Sequence, residues 1–229
     1  MKTIVLGATV STLLSLAAPL SAQRPFDVTP YLMTDRAAEL ALARSAAPSA
    51  ITDSATVMVL TRTGFVQAAQ GTNGFTCVVL RSFSGSVNDP GFWDSRVRAP
   101  LCFNPPAART VLPAMLATVK LLLSGAAPAD AAAQIRKAYA AHQYPSPAPG
   151  AMAYMLSPRQ WLGPGNPHWM PHFMFFFDHS LPAADWGAKG DMTAPVIDGS
   201  ANDPQAPVLT LLIPVRQWSD GTTALAANR

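Results

Sequence analysis

Proline constrains this chain more than any other residue. It fills 22 of the 229 positions, close to twice the usual share of about 5%. The prolines stand singly and in pairs along the whole length, not in one tract. A proline locks φ and has no N–H to give, so it belongs in turns, loop corners and the first turns of helices. This distribution punctuates a folded chain with turns and loops; it does not describe a disordered linker.

The N-terminus constrains where that folding takes place. Met1-Lys2 is a short positive start, Ile4 to Ala18 is an apolar run of small residues, and Pro19-Leu20-Ser21-Ala22 places a helix breaker and a small residue before Gln23. That is the pattern of a secretory signal peptide. Residues 1–22 are therefore expected to be removed, leaving residues 23–229 as one domain that is secreted or periplasmic. No cysteine follows the apolar run to carry a lipid, and the next most apolar stretch, Val111 to Leu123, holds Pro113 and Lys120. It is too short and too interrupted to span a bilayer, so no membrane anchor is expected after cleavage.

An oxidising compartment changes what two cysteines mean. Cys77 and Cys102, 25 residues apart, most simply pair as a disulfide there. Closing that loop stabilises a fold by roughly 3.5 kcal/mol on the chain-entropy account. Two buried free thiols are the alternative. The spacing excludes C-x-x-C redox chemistry.

Charged residues are 13% of the chain, against about 25% in typical domains. The formal net charge of +3 falls to +2 without Lys2. No Lys/Arg run stands behind it: Arg96, Arg98 and Arg109 are scattered and Arg136-Lys137 is a lone pair. A nucleic-acid partner is not expected.

The pattern of elements is mixed. Thr34-Asp35 followed by Ala/Leu/Glu-rich Arg36 to Ala46 predicts a helix. Thr56–Leu60, Phe65–Ala69 and Phe75–Leu80 read as three strands of an antiparallel meander, the last two joined at Asn73-Gly74, the strongest hairpin signal present. Val97–Phe103 predicts a strand carrying the second cysteine. Asn104-Pro105-Pro106 reads as a stop. Val111–Ser124 and Pro128–Ala141 predict a helical hairpin whose apolar face covers a sheet. Ala151–Leu156, His172–Asp178 and Leu209–Val215 complete the strands, with one helical turn from Ser157 to Leu162. The expectation is an α+β fold, a mostly antiparallel sheet covered by a helical hairpin in a single domain.

The densest chemistry lies in residues 152–192, with three of the four histidines, three of the five tryptophans and five of the nine methionines. If His168-Trp169-Met170-Pro171-His172-Phe173-Met174 is extended, His168, Met170, His172 and Met174 share one face. Imidazole with thioether suits copper, and His179 adds a third imidazole after Asp178. The same run is ordinary core composition, since Met packs well on aromatics. Templates with sharper spacing are missing: no G-x-S-x-G, no S-x-x-K, no H-E-x-x-H and no glycine-rich phosphate loop. His172 beside Phe173, Phe175, Phe176 and Phe177 is expected in a central strand, desolvated and neutral, holding a backbone group.

Four segments resemble, in order, a family of exported bacterial proteins of unknown function: Gly71-Thr72-Asn73-Gly74-Phe75-Thr76-Cys77, Tyr154-Met155-Leu156-Ser157-Pro158, Pro171-His172-Phe173-Met174-Phe175 and Pro214-Val215-Arg216-Gln217-Trp218-Ser219-Asp220. The resemblance implies export and a single domain, and carries no activity, cofactor or catalytic residue. The expectation is then an exported, soluble domain that binds a small molecule or a protein without catalysis or cofactor. Its binding surface would use Tyr154, Arg159, Trp161, Trp169, His172 and Trp186. The alternative is a metal-dependent enzyme or copper-handling protein, with copper or zinc on His168, His172 and His179. A structural envelope protein is the third reading.

Overall fold

A computed structural model of the chain describes residues 26–165, 167–203 and 205–224; the expected signal peptide, residues 1–22, lies outside them. Asp35 opens the first helix as its sequence predicts. Its carboxylate accepts the Ala38 N–H at 3.0 Å, capping α1 (Arg36–Arg44), one of the orphan donors every helix start must satisfy. A single further turn, α2 (Ser49–Thr52), leads into β1 (Thr56–Thr61) and β2 (Gly64–Ala69). These two pair as a hairpin, turned through Gly64 at φ +126°.

The expected meander ends there. β3 (Thr76–Leu80) does not pair with β2; it lies parallel to β1 on its other side. Asn73-Gly74 is a turn, with Gly74 at φ +77°, but it closes no hairpin. Asn73 instead gives its amide to the Ile51 carbonyl at 2.7 Å, and Thr72 N–H reaches Ser54 O at 2.8 Å. The chain is thereby tied to the segment before β1 and crosses the end of that strand. Gly71 makes the crossing possible, because a Cβ there would stand 2.2 Å from Thr56 N. Turn chemistry marked the reversal correctly, and side-chain contacts 20 residues back in sequence set the partner.

β4 (Ala99–Phe103) runs antiparallel to β3, with Cys102 directly opposite Cys77. The two sulfurs are bonded at 2.01 Å. Asn104 then starts a helix where a stop was expected. Its side chain accepts the Ala107 N–H at 3.0 Å, and Pro105 and Pro106 occupy the first turn of α3 (Pro105–Thr110), where a missing N–H costs nothing. α4 (Leu112–Leu123) and α5 (Pro128–Ala140) form the predicted hairpin. The end of α5 places His142 at φ 55°, with its N–H on Tyr139 O and Gln143 N–H on Ala138 O, a left-handed cap usually made by glycine.

β5 (Met152–Met155), β6 (His172–Asp178), the two-residue β7 (Ile197–Asp198) and β8 (Val208–Pro214) complete one eight-stranded sheet in the order β2-β1-β3-β4-β5-β6-β8-β7. Every neighbouring pair is antiparallel except β1 with β3. The turn at Ser157–Leu162 is not helical, and β7 had no sequence signal.

Alternation along the strands sorts the core into two layers. Val57, Cys77, Val79 and Cys102 face α1 through Leu42 and Ala43. Val78, Leu80, Leu101, Phe103, Ala153 and Phe176 face the other way, onto Ala107, Val111 and Leu112 of the helical layer. Both layers belong to one α+β domain. Inside it, Glu39 of α1 and Arg81 just after β3 form an ion pair at 2.7 Å, with side chains 2% and 0% exposed. Arg81 also donates to the Tyr31 and Val79 carbonyls, and Glu39 accepts Leu60 N–H at 3.2 Å.

Candidate functional site

The six side chains expected to form one aromatic surface are dispersed. Tyr154 lies opposite Phe173 in the β5–β6 ladder, and its half-buried ring meets Phe173 edge-on at 5.2 Å and Phe75 at 6.3 Å. His172 is the next residue along β6, so it faces the opposite side of the sheet. Trp169 packs edge-to-face on that imidazole at 4.5 Å, and its carbonyl accepts from the buried Gln160 amide. Trp161 bonds to Arg98 through both backbone groups, and the guanidinium over its ring, at 4.7 Å, is that of Arg96. Arg159 instead gives its guanidinium to Ala41 O at 2.5 Å. Trp186 sits past the far end of β6, 48% exposed, against Phe177 at 4.7 Å.

The three histidines do not converge either. His168 lies exposed in a turn, His172 begins β6 and His179 follows its end. Seven strand steps separate the last two, roughly 23 Å at 3.3 Å each. Among the described residues no group of three or more His, Cys, Asp or Glu side chains stands close enough to share a metal ion. His168 does not share a strand face with His172, because Pro171 delays β6 until His172 and leaves His168 outside it.

His172 is a core residue. It is 2% exposed, and burial lowers its pKa to about 4, against a smaller opposing effect of its bond to the Met170 carbonyl. That bond, 2.9 Å from Nδ1, assigns the proton to Nδ1, since a carbonyl only accepts.

A different place offers room. Between the helical hairpin and the β6–β8 end of the sheet lies an open cleft of about 250 Å³. Its floor is Phe176 with Val208 and Thr210; Val111, at the N-cap of α4, joins Ala114, Met115 and Thr118 of that helix; α5 supplies Ile135, Arg136 and Tyr139. Gly199, Ser200, Asp203, Ala206 and Pro207 form the facing wall, and the turn Ser84–Val87 closes one end. Phe176, Val111, Ala114 and Ile135 are buried, so the floor is continuous with the core.

Three polar groups rim it. Arg136 and Tyr139 are three residues apart on α5 and share a helical face. Burial raises the Tyr139 pKa to about 12, helped by Tyr144 alongside, so its hydroxyl stays protonated at any physiological pH. Asp203 accepts the Gln205 N–H at 3.2 Å through one carboxylate oxygen. Ser200, by contrast, is occupied: it donates to Asp198 at 2.7 Å and receives the Thr210 N–H at 3.4 Å. A neighbouring hollow of about 400 Å³ behind Ser200 and Asp203 is lined mostly by loop residues, His179 and Leu181 among them, with Leu209 as its one buried side chain. The sequence shows Arg136 as half of a lone basic pair, and Tyr139 falls on the apolar face expected of the helical hairpin. Nothing in it marked Asp203, which faces them only through the loop before β8.

No helix among the described residues is long and apolar enough to cross a membrane. Comparison with family models, with curated proteins and with solved structures returns no match.

Proposed function

We propose that this protein is an exported small-molecule-binding domain whose site is the cleft between the helical hairpin and the β6–β8 end of the sheet. The observation that carries this is an open space floored by core side chains and rimmed by a guanidinium, a phenol and a carboxylate. Ligand sites are generally concave and mostly apolar, with a few placed polar groups that orient the ligand. Export is supported by the pattern of residues 1–22 and by the Cys77–Cys102 bond, which persists in an oxidising compartment.

The test is binding at the cleft itself. Met115 lines it from α4, so its methyl resonance reports occupancy. Screening small ring-bearing compounds should shift that methyl while leaving Met33 on the opposite layer unmoved. Ala132 is half-buried and lines the same cleft; Ala132→Trp should abolish the shift in a protein that stays folded. Compounds that bind with the Met115 methyl unaffected would place the site elsewhere.

A further inference from the structure

We infer that the ligand is a small zwitterion with an apolar side group, of the α-amino-acid type, held between Arg136 and Asp203; this rests on the cleft being the binding site. Both residues line the cleft and the hollow that continues from its mouth. They come from facing walls, Arg136 from α5 and Asp203 from the loop before β8. Yet they do not neutralise each other. Among the described residues the only ion pairs within 4.0 Å are Glu39–Arg81 and Asp94–Arg96. Two opposite charges thus share one opening with a gap between them.

The donors on each side match the two ends of such a ligand. The Tyr139 hydroxyl makes no hydrogen bond among the described residues, so it joins Arg136 as a second donor for a carboxylate. Only one oxygen of Asp203 is engaged, by Gln205 N–H, leaving the other to accept from an ammonium. A simple anion would satisfy Arg136 and be repelled by Asp203. A simple cation meets the reverse arrangement, and a neutral ring leaves both groups without a partner. Behind the charges, Phe176, Met115 and Val111 present an apolar surface. The volume lies just below the roughly 300 Å³ at which drug-sized pockets begin, room for one ring or branched chain.

The experiment compares four probes on the full exported chain, by calorimetry and by the Met115 methyl: phenylalanine, 3-phenylpropanoate, 2-phenylethylamine and uncharged 2-phenylethanol. Phenylalanine is expected to bind about tenfold or more tighter than either singly charged compound, since each lacks one charge-assisted hydrogen bond. Arg136→Gln should bring phenylalanine down to the level of 2-phenylethylamine, and Asp203→Asn to that of 3-phenylpropanoate. If either singly charged compound matches phenylalanine, or if neither variant weakens it, the zwitterion inference falls. In that case a Met115 shift with 2-phenylethanol keeps the cleft as the site. If none of the four moves the Met115 methyl, both readings fall together.

Discussion

The two halves of the sheet are built to opposite specifications. β1, β3 and β4 are covered on both faces, by α1 on one and by α3 and α4 on the other, and cross-linked within the sheet by Cys77–Cys102. The buried Glu39–Arg81 pair ties α1 to the end of β3. In the half formed by β5, β6 and β8, Phe173, Phe175 and Phe177 are only half-buried, and the helical layer stands off the sheet to leave the cleft. A domain of this size needs one dense core to be stable; concentrating it at one end leaves the other free to hold a ligand. The most severe stability defects should therefore map to the closed half, and binding defects to the open one.

The largest effect expected is from Glu39→Ala. Arg81 is already pushed towards lower pKa by burial, with Glu39 opposing that. Removing the carboxylate leaves a buried cation with carbonyls alone, at a cost of about 3–5 kcal/mol. Urea denaturation should show this, and Glu39→Leu with Arg81→Met should be milder than Glu39→Ala. A Glu39→Ala protein of unchanged midpoint would mean that the closed half does not depend on its ion pair.

The disulfide comes next. Thiol labelling of the denatured, unreduced protein should find no free cysteine, and reduction should lower stability by roughly 2–4 kcal/mol. The cleft lies outside this cross-link, so ligand binding by whatever fraction stays folded should keep its affinity.

Which parts of this division were legible beforehand follows from how local their causes are. The cap at Asp35, the α4–α5 hairpin and β6 announce themselves within a few residues, through capping chemistry or an apolar run. The cysteine pair was legible because a signal-peptide pattern leaves few other expected fates for two thiols. What escaped depended on distant partners. Asn73 reads locally as a hairpin turn, yet its bonds to Ile51 O and the neighbouring Ser54 carbonyl reroute β3 to the far side of β1. Asn104-Pro105-Pro106 reads as a stop because proline both ends and begins helices, and only the Asn104 cap on the Ala107 N–H decides. The proposed site escaped for a further reason: Arg136 and Tyr139 on α5 and Asp203 before β8 are ordinary residues on two separate stretches, and their meeting is a property of the open half alone.

His172 stands where the halves meet on function. Its folded pKa of about 4 lies below the 6.5 of an unperturbed imidazole. The unfolded chain therefore binds the extra proton between those values, and stability is lost as pH falls from about 6.5 to 4, by on the order of 2–3 kcal/mol. Above pH 6.5 this contribution is fully present. His172→Gln should flatten that part of the stability–pH profile relative to wild type. At pH 7, His172→Asn or His172→Gln should be tolerated better than His172→Ala, which leaves the Met170 carbonyl unpaired at about 1–3 kcal/mol. Equal slopes for wild type and His172→Gln would show that the imidazole is not the group responsible.

The smallest stability effect, and the sharpest separation of the halves, belongs to Arg136. It is half-buried on α5 and makes no ion pair among the described residues. Glutamine keeps the helix propensity and most of the aliphatic stem. Arg136→Gln should therefore change unfolding free energy by no more than about 0.5 kcal/mol, the range of surface substitutions away from special features. A destabilisation of several kcal/mol would instead make Arg136 a structural element and erase the distinction between a closed half that holds the fold and an open half that holds a ligand. The measurement is a urea midpoint for Arg136→Gln beside Glu39→Ala on the same day and buffer, because the contrast between the two decides the matter more than either value alone.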